Sequence, residues 1–229
     1  MPGMQRASSL ANVGPTTCGD SGERNDRVAG ALTNEPAGRM DTREKLVRVA
    51  ERLMLRDGYS ATRVDDVIRK AGLSKGSFYH FFDSKESLGL AALDHYFADR
   101  VGRLAAGTYA AEADPLRRAH GFLDHASNVA ADLWKTGCLL GSLAADATGS
   151  SRVISNALKK RTGELRALLL DLLSPYATPE TTAADLADQF LVCVEGSIVL
   201  ARIYDDPAYL RRGLEQFRRC LTRAEGRPA

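Results

Sequence analysis

A short run of small and polar residues has the composition of an anion-binding site. Ser74, Lys75, Gly76 and Ser77 combine two hydroxyls, an ammonium group and a glycine that leaves room for close approach. At the start of a helix, such residues offer backbone N–H groups and hydroxyls to a phosphate. The chemistry that this run favours is therefore the binding of phosphates.

The elements that must position this run are three helices and a tight turn. Caps and apolar spacing predict helices at about 42–57, 62–71 and 75–82. Gly72 permits a sharp turn between the second and third helices, and Ser74 caps the third. This spacing indicates a helix-turn-helix, whose second helix lies in the major groove of DNA.

The third predicted helix has an apolar face and a polar face. Phe78, Phe81 and Phe82 are expected to be core, while Tyr79 and His80 point away from them toward DNA. A short helix with three phenylalanines is also compatible with a purely structural role. The residues predicted to bind DNA are Thr62, Arg63, Ser74, Lys75, Gly76, Ser77, Tyr79, His80 and Lys85.

The segment Thr42–Leu90 resembles the N-terminal domain of the TetR/AcrR family of transcriptional regulators. The similarity is most specific in the unbroken run Ala71–Glu86, and it also covers Thr42-Arg43-Glu44, Asp57-Gly58-Tyr59 and Thr62–Val67. The resemblance implies a homodimer that binds a palindromic operator, usually as a repressor. It also implies an effector pocket in a C-terminal helical domain, and a fourth helix that moves when the effector binds.

The predicted fold class is all-α. An N-terminal three-helix DNA-binding domain with a helix-turn-helix (residues 40–87) precedes a helical bundle for effector binding and dimerisation (88–229). Residues 1–39 are rich in Gly, Pro, Ser and Asn, so we expect a disordered extension. A native chain that starts at Met40 is the alternative.

Cys138 is the candidate reactive residue of the second domain. The segment Thr136–Leu143 resembles a Gly-Cys-Leu element in a group of the family that answers to reactive or unsaturated small molecules. Such a role implies attack by a thiolate or its oxidation, and Lys135 could favour the thiolate. The alternative is a small buried hydrophobe. The predicted effector-binding residues are Phe122, Trp134, Cys138, Glu195 and Tyr204.

Two C-terminal helices carry apolar stripes that either form a dimer interface or fill the protomer's own core. Operator symmetry requires a dimer, which favours the interface. The predicted interface residues are Phe190, Val194, Ser197, Ala201, Leu210, Leu214, Phe217 and Leu221.

Composition narrows the function classes. The net charge of +2 disfavours a non-specific DNA-coating protein, and the four cysteines lack zinc-binding spacing. We expect no metal, cofactor, membrane span or catalytic residue, and a cytoplasmic location. An enzyme using Cys138 with His120 or His125 lacks a supporting motif. Repressor and activator remain open.

Overall fold

The computed structural model describes residues 41–130, 133–147, 149 and 151–225. The predicted extension, residues 1–39, lies outside this part of the chain. Every regular element within it is helical, which confirms the all-α prediction. The α-helices are α1 (Thr42–Asp57), α2 (Val64–Ala71), α3 (Lys75–Phe81), α4 (Lys85–Ala105), α5 (Pro115–Ala130), α6 (Leu133–Thr136), α7 (Leu139–Ala147), α8 (Arg152–Leu173), α9 (Ala183–Tyr204) and α10 (Ala208–Glu225).

Polar caps fix where several helices begin. Asp41 accepts a hydrogen bond from the backbone N–H of Arg43 at the start of α1. Ser84, in a reciprocal capping box with Ser87, begins α4. These side chains satisfy N–H groups that have no partner within the helix, so the local sequence sets the boundary. No described helix is long and apolar enough to cross a membrane.

Two hydrophobic cores organise the described residues. The first joins α1–α4, and it also takes in Leu139 and Leu143 of α7 and Ile154 of α8. The second is built mainly from α5, α9, α10 and the C-terminal half of α8. Cys138 packs against both cores. Helix α7 therefore packs with the helix-turn-helix although it is distant from it in sequence.

The stripes predicted as a dimer interface lie mostly inside the protomer. Phe190 packs between Phe122 and Phe217, with ring centroids 5.5 Å apart in both pairs. This corrects the interface assignment, because side chains that already fill one protomer's core cannot cover a second. The buried residues of the predicted set are Phe190, Ser197, Ala201, Leu210, Leu214, Phe217 and Leu221. Val194 is partly buried and lines an internal cavity.

Candidate DNA-binding surface and effector cavity

The turn between α2 and α3 depends on a glycine in the left-handed region. Gly72 has φ 63° and ψ 40°, a conformation that costs a residue with a side chain about 1–2 kcal/mol. The backbone N–H of Leu73 then donates to the carbonyl of Ile68 at 3.1 Å, closing α2. Ser74 caps α3 by accepting from the N–H of Ser77 at 3.0 Å. The turn therefore directs the first turn of α3 outward.

The outer side of α3 presents a polar edge to solvent, which we call the recognition edge. Its residues are Ser74, Lys75, Gly76, Ser77, Tyr79 and His80. Phe78 and Phe82 are 0% and 4% exposed on the opposite side, whereas Tyr79 is 63% exposed. Phe78 and Phe82 therefore form a core face, and the predicted polar edge faces solvent.

Phe81 departs from this division. The sequence predicts it as core, but its side chain is exposed. Helix α3 ends at Phe81, and the extended backbone of Phe82 (φ −137°, ψ 127°) turns the Phe82 ring inward instead. The ring of Phe81 meets His80 edge-on, with centroids 4.6 Å apart. It therefore adds an apolar surface beside the recognition edge.

The two lysines near the recognition edge differ in the contacts that their ammonium groups make. Lys75 Nζ lies 2.9 Å from Asp65 Oδ1 in an exposed ion pair, and this hydrogen bond raises the pKa of Lys75. Such a pair is weak in water, so a phosphate can displace Asp65. Lys85 instead donates to the carbonyl of Ser60 at 3.1 Å and lies over the Tyr59 ring. Its contacts hold the α1–α2 loop.

Thr62 also acts inside the protein. It was predicted to contact DNA, but its side chain is only 3% exposed, and its hydroxyl donates to the carbonyl of Gly58 at 2.8 Å. This inward bond also explains why α2 begins at Val64, two residues later than expected. Arg63, its neighbour, is exposed and stays available to DNA.

An internal cavity lies between the helices of the C-terminal half and α4. Its volume is about 110 Å³, well above the ~10–15 Å³ that one water requires. Most of its lining is leucine, valine, alanine and phenylalanine from α4–α10. The strongly polar side chains among the described lining residues are Tyr96, Arg100, Cys138 and Glu195.

Three of these polar groups lie together along one wall. The Cys138 thiol interacts with both the Tyr96 hydroxyl and the Glu195 carboxyl, and each of them influences its pKa. Tyr96 belongs to α4, Cys138 directly precedes α7, and Glu195 belongs to α9. This polar cluster therefore joins three helices at the cavity.

Burial determines the protonation of the Cys138 and Glu195 side chains. The pKa of the Cys138 thiol is raised to about 12, mainly by burial and secondly by the negative charge of Glu195. Burial also raises the pKa of Glu195. The prediction that Lys135 favours a thiolate is wrong, because the Lys135 ammonium lies over the Trp134 ring at 5.5 Å and Cys138 stays protonated.

The structure separates the predicted effector residues. Cys138 and Glu195 line the cavity, whereas Phe122 is fully buried behind Phe190 and does not reach it. Trp134 is partly exposed, and the Lys135 ammonium group lies over its ring. Tyr204 is a surface residue stacked on Tyr209. These three placements are corrections, and they reflect helix faces that sequence periodicity does not distinguish.

Sequence reasoning did not find Tyr96 and Arg100. A signal was present, since Leu93, Tyr96, Arg100 and Leu104 follow helical spacing, and polar groups interrupt this otherwise apolar stripe of α4. A polar group on a buried face commonly marks a binding site.

Helix α7 connects the cavity to α1 and the α1–α2 loop of the N-terminal domain. At one end, Cys138 and Leu140 line the cavity. Farther along, the Ser142 hydroxyl donates to the carbonyl of Met54 at 3.1 Å. At the other end, Asp146 accepts from the backbone N–H of Ser60 at 3.2 Å. One short helix therefore touches both the cavity and the N-terminal domain that carries the recognition edge.

The alternative of an enzyme built on Cys138 finds no geometric support. His125 Nε2 lies 2.7 Å from the carbonyl of Arg103, and the His120 ring packs edge-on against Tyr176. The polar groups that influence the pKa of Cys138 are Tyr96, Glu195 and the backbone of Gly141, and none of them is a histidine. Within the described residues, no cluster of three His, Cys, Asp or Glu side chains could hold a metal ion.

A helix-turn-helix with an exposed polar edge, on a helical body with an internal cavity, defines a DNA-binding transcriptional regulator. The profile for bacterial regulatory proteins of the tetR family matches residues 46–92, and the profile for the C-terminal domain of LmrA/YxaF-like transcriptional regulators matches residues 115–216. The chain belongs to the TetR family of transcriptional regulators, and it is not an enzyme.

Relatives and a solved structure agree with this assignment. The HTH-type transcriptional repressor NemR of Escherichia coli is 31% identical over 134 residues, which are 58% of this chain and 67% of NemR. The transcriptional regulator AcuR of Cereibacter sphaeroides is 30% identical, over 70% of this chain and 76% of AcuR. A TetR transcriptional regulator from Chloroflexus aurantiacus is 27% identical with a TM-score of 0.69, covering 79% of this chain and 94% of that one.

Proposed function

We propose that this chain is a homodimeric repressor that binds a palindromic operator and is released by a small molecule in the cavity. The observation that carries the proposal is the recognition edge, which Phe78 and Phe82 anchor to the core. One relative, NemR, is named as a transcriptional repressor, which supports repression over activation. A regulator of chromosomal DNA acts in the cytoplasm, which we propose as its location.

The outer face of α9 supports the homodimer. It carries an exposed apolar stripe made of Val192, Val199, Leu200, Ile203 and Tyr204. An exposed apolar patch of this kind typically marks a protein–protein interface. The stripe continues along one helix, so a second copy related by a twofold axis can cover it with the same residues.

The proposed ligand response uses α7 together with α4. Both helices contribute to the cavity, through Cys138 and Leu140 at α7 and Tyr96 at α4. A ligand that displaces the N-terminal turn of α7 also strains the hydrogen bond between Asp146 and Ser60 of the α1–α2 loop. The two recognition edges then change their spacing and no longer fit successive grooves of DNA.

An electrophilic effector is the second candidate, favoured by the position of Cys138 at the cavity. Because the thiol is protonated, an electron-poor alkene would react only as Glu195 accepts the thiol proton while the S–C bond forms. The proton then passes to the α-carbon of the product. Cys138→Ser abolishes the response to electrophiles under this candidate and leaves the response to other effectors.

Operator binding is the direct test of the proposed function. Duplexes selected from a random pool by the wild-type protein are expected to be palindromic and to bind it as a dimer in gel shifts and sedimentation. Ile203→Glu, which places charge in the exposed stripe, is expected to give monomers with weakened binding. Selection of sequences without symmetry, or tight binding by a monomer, would refute the proposal.

A further inference from the structure

Among the described residues that line the cavity, one is acidic, and its surroundings are largely apolar. Glu195 of α9 lines the cavity beside leucine, valine and phenylalanine side chains. The polar group that influences its pKa is the Cys138 thiol, which is a weak hydrogen-bond donor. No described lysine or arginine forms an ion pair with it. The carboxylate therefore lacks a strong partner of its own.

We propose that the cavity recognises an organic amine, whose ammonium group pairs with Glu195 while its hydrocarbon part contacts the apolar lining. This inference rests on the proposed function of the cavity as the effector site. It names the chemical class of the effector, which neither the helix-turn-helix nor the family assigns.

A partly buried carboxylate among apolar side chains makes a cation the best-matched ligand. An ionised carboxyl in an apolar site is costly unless it is paired and hydrogen-bonded. An ammonium group supplies charge and up to three donors, and such charge-assisted bonds are about twice as strong as neutral ones. Burial raises the pKa of Glu195, the direction expected when a carboxyl has no cation beside it.

The space around Glu195 is kept open by a glycine. A Cβ atom at Gly141 would lie 3.0 Å from Glu195 Oε2, which is tighter than about nine in ten real Cβ contacts. A side chain at position 141 would therefore press on the carboxyl group at the start of α7. The glycine allows the carboxyl to stay beside the N-terminal turn of α7, where a ligand can reach both.

Arg100 makes an anionic ligand less suitable. Its guanidinium lies over the Tyr96 ring at 5.6 Å and 3.9 Å from Asp99. An anion in the cavity would share it with Asp99 and meet the negative charge of Glu195. An electrophile would meet a protonated Cys138 thiol. The contacts therefore favour a cation over both alternatives.

The test uses three probes of similar size and different charge: phenethylamine, phenethyl alcohol and phenylacetate. Their dissociation constants for the full chain are measured by calorimetry at neutral pH. We expect the amine to bind at least about tenfold more tightly than the alcohol, as an added charge-assisted hydrogen bond predicts. Glu195→Gln is expected to remove this preference without changing the affinity for the alcohol.

Two control variants distinguish the effect of the Glu195 carboxyl from the effect of changing charge elsewhere in the protein. Glu180→Gln changes an exposed glutamate and is expected to keep the preference for the amine. Arg100→Met removes the positive charge at the cavity and is also expected to keep it. If Glu195→Gln does not fold, the wild-type series and Arg100→Met still measure the charge preference.

The proposal is overturned if the alcohol binds as tightly as the amine, if phenylacetate binds most tightly, or if none of the three binds. It is also overturned if the preference survives in Glu195→Gln. Operator gel shifts are run in parallel. Amine binding that does not release DNA would overturn the proposed ligand-released repressor and leave the amine site standing, so the two failures are distinguishable.

Discussion

Truncation of Phe78 tests which face of α3 holds the protein together. The side chain is 0% exposed, and its ring contacts those of Tyr79 and Phe82 at centroid distances of 5.1 Å and 5.8 Å. Phe78→Ala leaves a cavity in the first core and is expected to lower the free energy of unfolding by ~3–5 kcal/mol. For a chain of this length, ~2–4 °C per kcal/mol predicts a melting temperature lower by roughly 6–20 °C.

Tyr79→Phe is the matched variant on the opposite face. It keeps the ring that packs edge-on against Phe78 and removes only a hydroxyl from a side chain that is 63% exposed. We expect a stability change within about 0.5 kcal/mol. Loss of a hydrogen bond to DNA is expected to weaken operator binding by about 1–3 kcal/mol, or roughly 5- to 150-fold.

Urea unfolding followed by circular dichroism, and gel shifts with one selected operator, measure the two quantities on the same samples. Equal unfolding midpoints for Phe78→Ala and Tyr79→Phe would refute the assignment of faces. Unchanged operator affinity in Tyr79→Phe would show that the hydroxyl makes no contact with DNA.

Further predictions concern α7 and the cavity. Asp146→Asn weakens the hydrogen bond to Ser60. We therefore expect the variant to bind the operator still, but to need a higher ligand concentration for release of the operator in gel-shift titrations. Iodoacetamide is expected to label exposed Cys220 before Cys138, whose pKa is raised, and peptide mass spectrometry would contradict this if Cys138 reacted first. Because burial raises the pKa of Glu195, its ionisation opposes folding as pH rises above about 4.3. Glu195→Gln is therefore expected to exceed the wild type in urea midpoint at pH 7 and to match it near pH 4; a constant difference would contradict the assignment.

Helix boundaries were the most predictable part of the fold. The predicted span of α1 coincides with the observed Thr42–Asp57. Capping residues such as Asp41 and Thr182 act within one turn of the helix they begin, so the sequence alone is enough. Where the boundary moved, at α2, the cause was the inward bond of Thr62.

The faces of α9 were less predictable, because both are apolar. Phe190 and Ala201 are buried, but Val192 and Ile203 on the outer face are as hydrophobic as the core residues. Hydrophobic periodicity gives a direction only when one face is polar. The neighbouring helices decide which face turns inward, and they come from distant parts of the chain.

The recognition edge could be predicted from the sequence more fully than the cavity. The recognition edge lies on one short helix after one turn, so Tyr79 and His80 could be placed from local spacing. The cavity is assembled from helices separated by many residues, and Tyr96, Cys138 and Glu195 meet only through tertiary packing. Cys138 was recognised as notable, but its protonation depends on neighbours that the sequence does not bring together.

The crystal structure of the full chain bound to a selected operator duplex tests the central claim most directly. We expect two copies of the recognition edge in successive major grooves, about 34 Å apart, with Tyr79 and His80 within hydrogen-bonding distance of the DNA. A complex in which these side chains face solvent, and another surface contacts the duplex, would contradict it.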